Sequence, residues 1–171
     1  MVLILVFNLR ASAIIASMLP LAVLMTFIIM KLANIEANIV ALSGIAIAIG
    51  VMVDVGVVLM ENILKRLEPI QKANKEIHGK ELEALILEAV NEVSGAVFVA
   101  MATTIISFFP VFAMQAQEGK MFHPLAFTKT IALVASLLLG VLVLPTLAYW
   151  VFSFKTPRKL GALLIRLKPQ R

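Results

Sequence analysis

The stretch that decides the fold is Ala37-Asn-Ile-Val-Ala-Leu-Ser-Gly-Ile-Ala-Ile-Ala-Ile-Gly-Val-Met-Val-Asp54-Val-Gly-Val-Val-Leu-Met60. Its 24 residues contain one charge, Asp54. About 20 consecutive apolar residues cross a bilayer as a helix. The run has neither the strict alternation of a half-buried strand nor the polar face of a surface helix. It predicts a membrane-spanning helix over 37–61 that carries a carboxylate at depth.

Outward from this run, the same pattern recurs. Residues 11–30 and 93–114 hold no charge, and 126–154 closes on Tyr149 and Trp150, aromatics suited to the headgroup belt. Met1–Leu9 reads as the end of a further helix, within a 1–10 segment that has no signal-peptide layout. Of the 171 residues, 61% are hydrophobic, and the mean hydropathy is +1.02. A soluble domain is about 45–50% apolar. The expected fold is an all-α polytopic transmembrane bundle of four full spans plus the end of a fifth. A barrel is excluded because the runs are continuous.

Charge orients the spans. Of the 15 Lys and Arg residues, 12 lie in segments on one side: Arg10, the 62–92 loop and the 155–171 tail. Only Lys31, Lys120 and Lys129 fall on the other, with Lys129 expected to snorkel to that interface. The bias places the first side in the cytoplasm. The net charge of +5 is thus a matter of topology, with no nucleic-acid partner implied. Within 62–92, Leu82, Leu85, Ile86, Ala89 and Val93 recur at helical spacing. This predicts an amphipathic helix on the inner surface, or else a plain extension of the third span.

Asp54 is the chemically informative residue. A carboxylate inside a span is costly, about 2.5–3.5 kcal/mol on insertion scales, and belongs in a protein-lined or wet interior. It is read as a proton-exchanging group, against a structural, permanently paired aspartate. Ser43, Ala46, Gly50 and Asp54 share one stripe of small residues, which lets a neighbouring helix approach. Glu61, seven residues on, would lie about 10 Å further along that face. It either passes protons at the inner mouth or snorkels at the interface. Thr103, Thr104 and Ser107 put hydroxyls in the third span, as packing contacts across helices or as a water-holding group near Asp54. Nine methionines allow a soft-metal reading, with Met52 as its candidate ligand, although thioethers also fill cores. His78 and His123 stand alone and are not assigned to metal. There is no cysteine, no phosphate-cradling glycine loop and no nucleophile with a base, so neither an enzyme nor a cofactor is implied.

Three motifs carry a family resemblance. Gly44-Ile-Ala-Ile-Ala-Ile-Gly-Val-Met-Val-Asp-Val-Gly-Val-Val-Leu-Met-Glu-Asn62 resembles the fourth transmembrane helix of resistance–nodulation–division efflux pumps, in their heavy-metal branch. Asn8-Leu-Arg10 resembles the junction of that family's second and third helices. Gln117-Glu-Gly-Lys-Met-Phe-His-Pro-Leu-Ala-Phe-Thr-Lys-Thr130 is similar to its outer loop before helix six. The resemblance implies proton-driven export of heavy-metal cations, with Asp54 as relay aspartate and Glu61 as the signature carboxylate. It implies a lysine partner in a second helical half, large porter domains, and a homotrimer working with a periplasmic adaptor and an outer-membrane channel in the bacterial inner membrane. The divalent-metal type carries an aspartate six residues before the relay aspartate, where this chain has Ala48. The copper and silver type carries methionines two and fourteen before, where this chain has Met52 and Val40. Leu160–Leu167 resembles the inner-surface helix leading to the second half. The chain is accordingly expected to be a fragment running from the end of helix two through helix six, or a truncated product that inserts without transporting.

Overall fold

The computed structural model describes residues 9–72, 77, 79–114 and 116–153. In order, these form α1 (Leu9–Leu32), α2 (Ile39–Lys72), α3 (Lys80–Ser107) and the single turn α4 (Phe109–Phe112). They continue as α5 (Ala116–Leu138), a π-helical segment (Leu139–Val143) and α6 (Leu144–Ser153). Every regular element among the described residues is helical. Four stretches, Arg10–Leu32, Ile39–Ile70, Lys80–Phe112 and Phe122–Ser153, are long and apolar enough to cross a membrane. The chain thus forms the all-α membrane bundle its hydropathy predicts. Of the expected helix end over 1–10, Leu9 and Arg10 belong to α1, and residues 1–8 lie outside the described residues, as do His78 and the 155–171 tail.

The first connection is short because both helix ends are capped locally. Asn34 takes a left-handed φ of 53°, a conformation asparagine tolerates better than most residues. It closes α1 as its N–H bonds the Lys31 carbonyl at 3.2 Å and the Ile35 N–H bonds that of Met30 at 2.9 Å. Ile35 also packs against the small cluster of Met30, Ala41 and Ile45, an apolar contact of the kind that accompanies this closure. Four residues after Asn34, the Asn38 side chain accepts the Ala41 N–H at 2.8 Å and starts α2.

Small residues set the closest helix contact, between α2 and α5. A Cβ on Gly44 would sit 2.7 Å from the Leu125 carbonyl oxygen. Further along, Ser136 donates to the Met52 carbonyl at 3.4 Å. A Cβ on Gly140 would sit 2.7 Å from Val55 Cγ1. These pairs climb together in residue number, so the two helices run parallel. Ala126, Ala132 and Ala135 of α5 are fully buried, as are Ala41 and Ala48 of α2. Lipid gives apolar side chains little reason to associate, so close packing of small residues holds such helices together.

The helices are longer than the hydropathy suggests. The 34 residues of α2 extend about 51 Å, against a hydrocarbon core of about 30 Å. Residues 80–92 are the first turns of α3, collinear with its span and not a separate surface helix. Their apolar side, Leu82, Ile86, Ala89 and Val90, is buried in the main core. The Asn62 amide donates to the Ala89 carbonyl at 2.7 Å, and Arg66 bridges Glu88 at 3.1 Å and Glu92 at 2.9 Å. Of the two readings of this segment, the structure has the extension of the third span, with the end of α2 covering its apolar face. On the opposite side of the bundle, most of the expected outer loop is likewise helical, since α5 already starts at Ala116.

In the last span, Pro145 has no N–H to return to Val141 and its ring crowds that turn. The chain adapts by widening: the Leu144 N–H reaches back five residues to Leu139. Arg10, at the start of α1, reaches the Val151 carbonyl near the end of α6 at 3.4 Å. The start of α1 and the end of α6 therefore share one end of the bundle, as alternating spans require.

Candidate functional site

Asp54 sits 15 residues into α2, about 22 Å from its start and well inside the span. Its side chain is exposed on the outside of the bundle. Ala46 and Gly50 are exposed on the same stripe, and Ser43 is half-buried above them, its hydroxyl bonded to the Val40 carbonyl at 2.6 Å. A Cβ on Gly50 would meet nothing within 4 Å. Gly44 and Gly140, by contrast, are pressed against neighbouring helices. The small-residue stripe that sequence assigned to close packing is thus left open by the chain's own helices.

The companion residues divide between faces. Met52 is two residues from Asp54, about 200° around the helix. It is buried in the apolar core, 5% exposed. Met18, Met60 and Met101 are buried in the same core. Met52 and Asp54 therefore do not converge on one site. Glu61 departs from the expected stripe: it is 5% exposed, with its carboxylate 2.9 Å from Lys65 Nζ. The physical reason is local. Leu59, Met60, Glu61, Ile63 and Leu64 are all buried, so the bundle surrounds α2 at this end while leaving it open at Asp54.

Thr103, Thr104 and Ser107 donate their hydroxyl protons within α3, to Val99 at 2.8 Å, Ala100 at 2.9 Å and Thr103 at 2.8 Å. The hydrogen bonds across helices that sequence allowed them are replaced by bonds to their own backbone. Thr103 is exposed and comes to about the level of Gly50 through the antiparallel pairing set at Asn62 and Ala89.

Lys129 reaches toward the outer end of α3 while staying covered by protein. The span begins at Phe122, two turns earlier, and Lys129 is 8% exposed with its ammonium 3.7 Å from the Phe108 ring centroid. A cation over an aromatic face keeps part of its stabilisation away from water. Its burial and the Gly44 and Gly140 contacts were not read from the sequence. The Asn62–Arg66 cluster had a signal: Asn62 and Arg66 face Glu88 and Glu92 at matched four-residue spacings. Among the described residues, no three His, Asp or Glu side chains group as a metal site.

These features define a polytopic helical membrane segment with a carboxylate at depth on an open, small-residue face. The chain belongs to the AcrB/AcrD/AcrF family, whose model matches residues 1–167. It is 40% identical over 147 residues to the cation efflux system protein CusA of Escherichia coli strain K12, covering 84% of this chain and 14% of that protein. It is 35% identical over 165 residues to SilA of Salmonella typhimurium, covering 93% of this chain and 16% of that protein. To the cobalt-zinc-cadmium resistance protein CzcA of Cupriavidus metallidurans it is 36% identical over 143 residues, 81% of this chain and 13% of that protein. The resemblance to resistance–nodulation–division heavy-metal efflux pumps is thereby shown, while the chain spans about a seventh of the length of these curated relatives.

Proposed function

We propose that this chain is the proton-exchanging membrane segment of a cation efflux pump, with Asp54 as the group that takes up and releases the proton. The observation that carries this reading is the open stripe: a carboxylate at membrane depth beside Gly50, whose Cβ position meets no atom within 4 Å. An intramembrane carboxylate facing lipid alone would be a standing cost. Facing a second helical half that supplies a lysine, it becomes a switchable ion pair, and its protonation changes how the two halves attract each other. Glu61, beside Lys65 at the inner end, is in this reading the second carboxylate of the proton path. Thr103 and Thr104 flank the path as packing residues.

The pump works in the bacterial inner membrane with the Lys65–Glu92 segment cytoplasmic. It assembles as a trimer with a periplasmic adaptor and an outer-membrane channel, and draws its energy from the proton gradient as a secondary transporter. For cargo, Met52 supports the copper and silver type. A metal would reach that thioether from within the core between α2 and α5, not from the Asp54 face. Export of another substrate by a related pump is the second reading, supported by Ala48 and Val40 at the two positions where metal-type residues are expected.

The test is Asp54→Asn in the full-length pump, which keeps shape and hydrogen bonding but removes titration. Normal insertion and assembly with proton-coupled export abolished is the expected result. Export at the wild-type rate would leave Asp54 a structural residue.

A further inference from the structure

A groove of about 310 Å³ opens on the bundle's outer surface, between α3 and the π segment with α6. Leu87, Leu142 and Pro145 form its apolar wall, and Glu83, Thr146 and Tyr149 its polar edge. Leu87 and Leu142 are 46% and 64% exposed, so the apolar wall faces out of the bundle. Glu83 lies in the first turn of α3, and Tyr149 one turn before the end of α6. The groove therefore sits at the end of the bundle where Arg10 meets Val151, with Trp150 beside it. Tyrosine and tryptophan mark the boundary between acyl chains and headgroups.

The polar edge carries one sign of charge. Among the described residues that line the groove, Glu83 is the single charge, with no Lys or Arg. The Thr146 hydroxyl gives its proton to the Leu142 carbonyl at 3.2 Å and so turns only lone pairs outward. Val141 also lines the groove, and its carbonyl has lost its α-helical donor because Pro145 has no N–H. A carboxylate and a hydroxyl oxygen therefore border an apolar trough, groups that accept hydrogen bonds from a cation. The Tyr149 hydroxyl is the side-chain donor at this edge, placed to meet an anionic oxygen.

We infer that this groove binds a phospholipid with a primary-amine headgroup, of the phosphatidylethanolamine type. One acyl chain lies along Leu87, Leu142 and Pro145, the ammonium meets Glu83, and the phosphate meets Tyr149. A choline headgroup carries the same charge and phosphate but has no N–H to donate, so the site discriminates between them. This assignment goes beyond the transport reading and does not depend on it.

The experiment is native mass spectrometry of the full chain, extracted from bilayers holding equal phosphatidylethanolamine and phosphatidylcholine with identical acyl chains. Retention of the amine lipid over the choline lipid by about tenfold or more is expected, since charge-assisted hydrogen bonds are the strong ones. Glu83→Gln, at an exposed position that leaves folding intact, should bring the two lipids to equal retention. Leu142→Trp fills the trough and should release both. Equal retention by the unaltered chain would overturn the proposal, as would an unchanged preference in Glu83→Gln. Displacement of the lipid by dodecylamine at equal concentration would overturn the phospholipid assignment. Should Leu142→Trp lose helicity by circular dichroism, the Glu83→Gln comparison decides alone.

Discussion

Substituting Gly44 and Gly50 by alanine, one at a time, probes which face of α2 this chain packs for itself. At Gly44 the new methyl would lie 2.7 Å from the Leu125 carbonyl oxygen and 3.3 Å from Thr128 Cβ. The first of these is backbone, held inside α5, so it cannot swing aside. The helices must separate by several tenths of an ångström, and a gap of that size forfeits about a quarter or more of each contact's attraction. Overpacking of this kind costs about 1–3 kcal/mol. At Gly50 nothing lies within 4 Å, so alanine meets no neighbour and gains up to about 1 kcal/mol in helix propensity. That propensity gain is common to both positions of α2, so the two variants should differ by the overpacking cost alone, about 1–3 kcal/mol in the isolated chain. Gly140→Ala should fall between them, because its obstacles are side-chain atoms, Val55 Cγ1 at 2.7 Å and Leu59 Cδ1 at 3.0 Å. The assay is unfolding in mixed detergent micelles, followed by far-ultraviolet circular dichroism. Gly50→Ala as damaging as Gly44→Ala would refute the reasoning, since it would mean the Asp54 face is packed inside this chain. In the full pump the sign at position 50 should reverse: Gly50→Leu is then expected to reduce export sharply, because the stripe meets a second set of helices.

Other expectations follow from the same geometry. Single cysteines in the Lys65–Glu92 segment should resist a membrane-impermeant thiol reagent in intact cells, and those in Gln115–Pro124 should react; the opposite pattern would invert the topology. Asn34→Ala should destabilise the chain by about 1 kcal/mol, since alanine is strained at a φ of 53°, whereas Asn34→Gly should be close to neutral by thermal unfolding. In the full pump, Met52→Leu should lower copper and silver tolerance more than Met18→Leu or Met25→Leu, and equal, negligible effects at all three would remove the thioether argument. The double-mutant cycle of Arg66 with Glu92 should return little or no coupling, because both side chains are substantially exposed, and a strong coupling would contradict this.

Hydropathy made the four spans legible because a bilayer demands long apolar runs, and every one of those runs became a helix. Where the helices end was less legible. Glu81, Glu83, Glu88 and Glu92 left residues 80–92 open between a helix on the inner surface and an extension of the third span. A helix longer than the bilayer is thick carries charges on its protruding turns, and Arg66 on the neighbouring helix answers two of them. Periodicity placed Asp54 on the small-residue stripe but also placed Glu61 there, and Glu61 is buried. The stripe is a property of one helix, whereas burial depends on how many neighbours surround it at each level. The same limit hid Gly44 and Gly140 among the eight glycines of the chain: nothing local separates a glycine pressed against a carbonyl from one facing open space. The π segment was half visible, since Pro145 announced a disturbance in the last span but not whether it would be a kink or a widened turn.

The turn between α1 and α2 has a consequence for biogenesis. Its six residues, 33–38, close one helix and open the next with bonds made locally. Only two charged residues, Lys31 and Glu36, stand between the two apolar runs. The two helices can therefore leave the translocon as one paired unit, with a single small polar tip to carry across, and the hairpin has its antiparallel shape before α3 is synthesised. Lengthening this turn or adding charge to it would tax delivery of the protein to the membrane before affecting anything the folded bundle does.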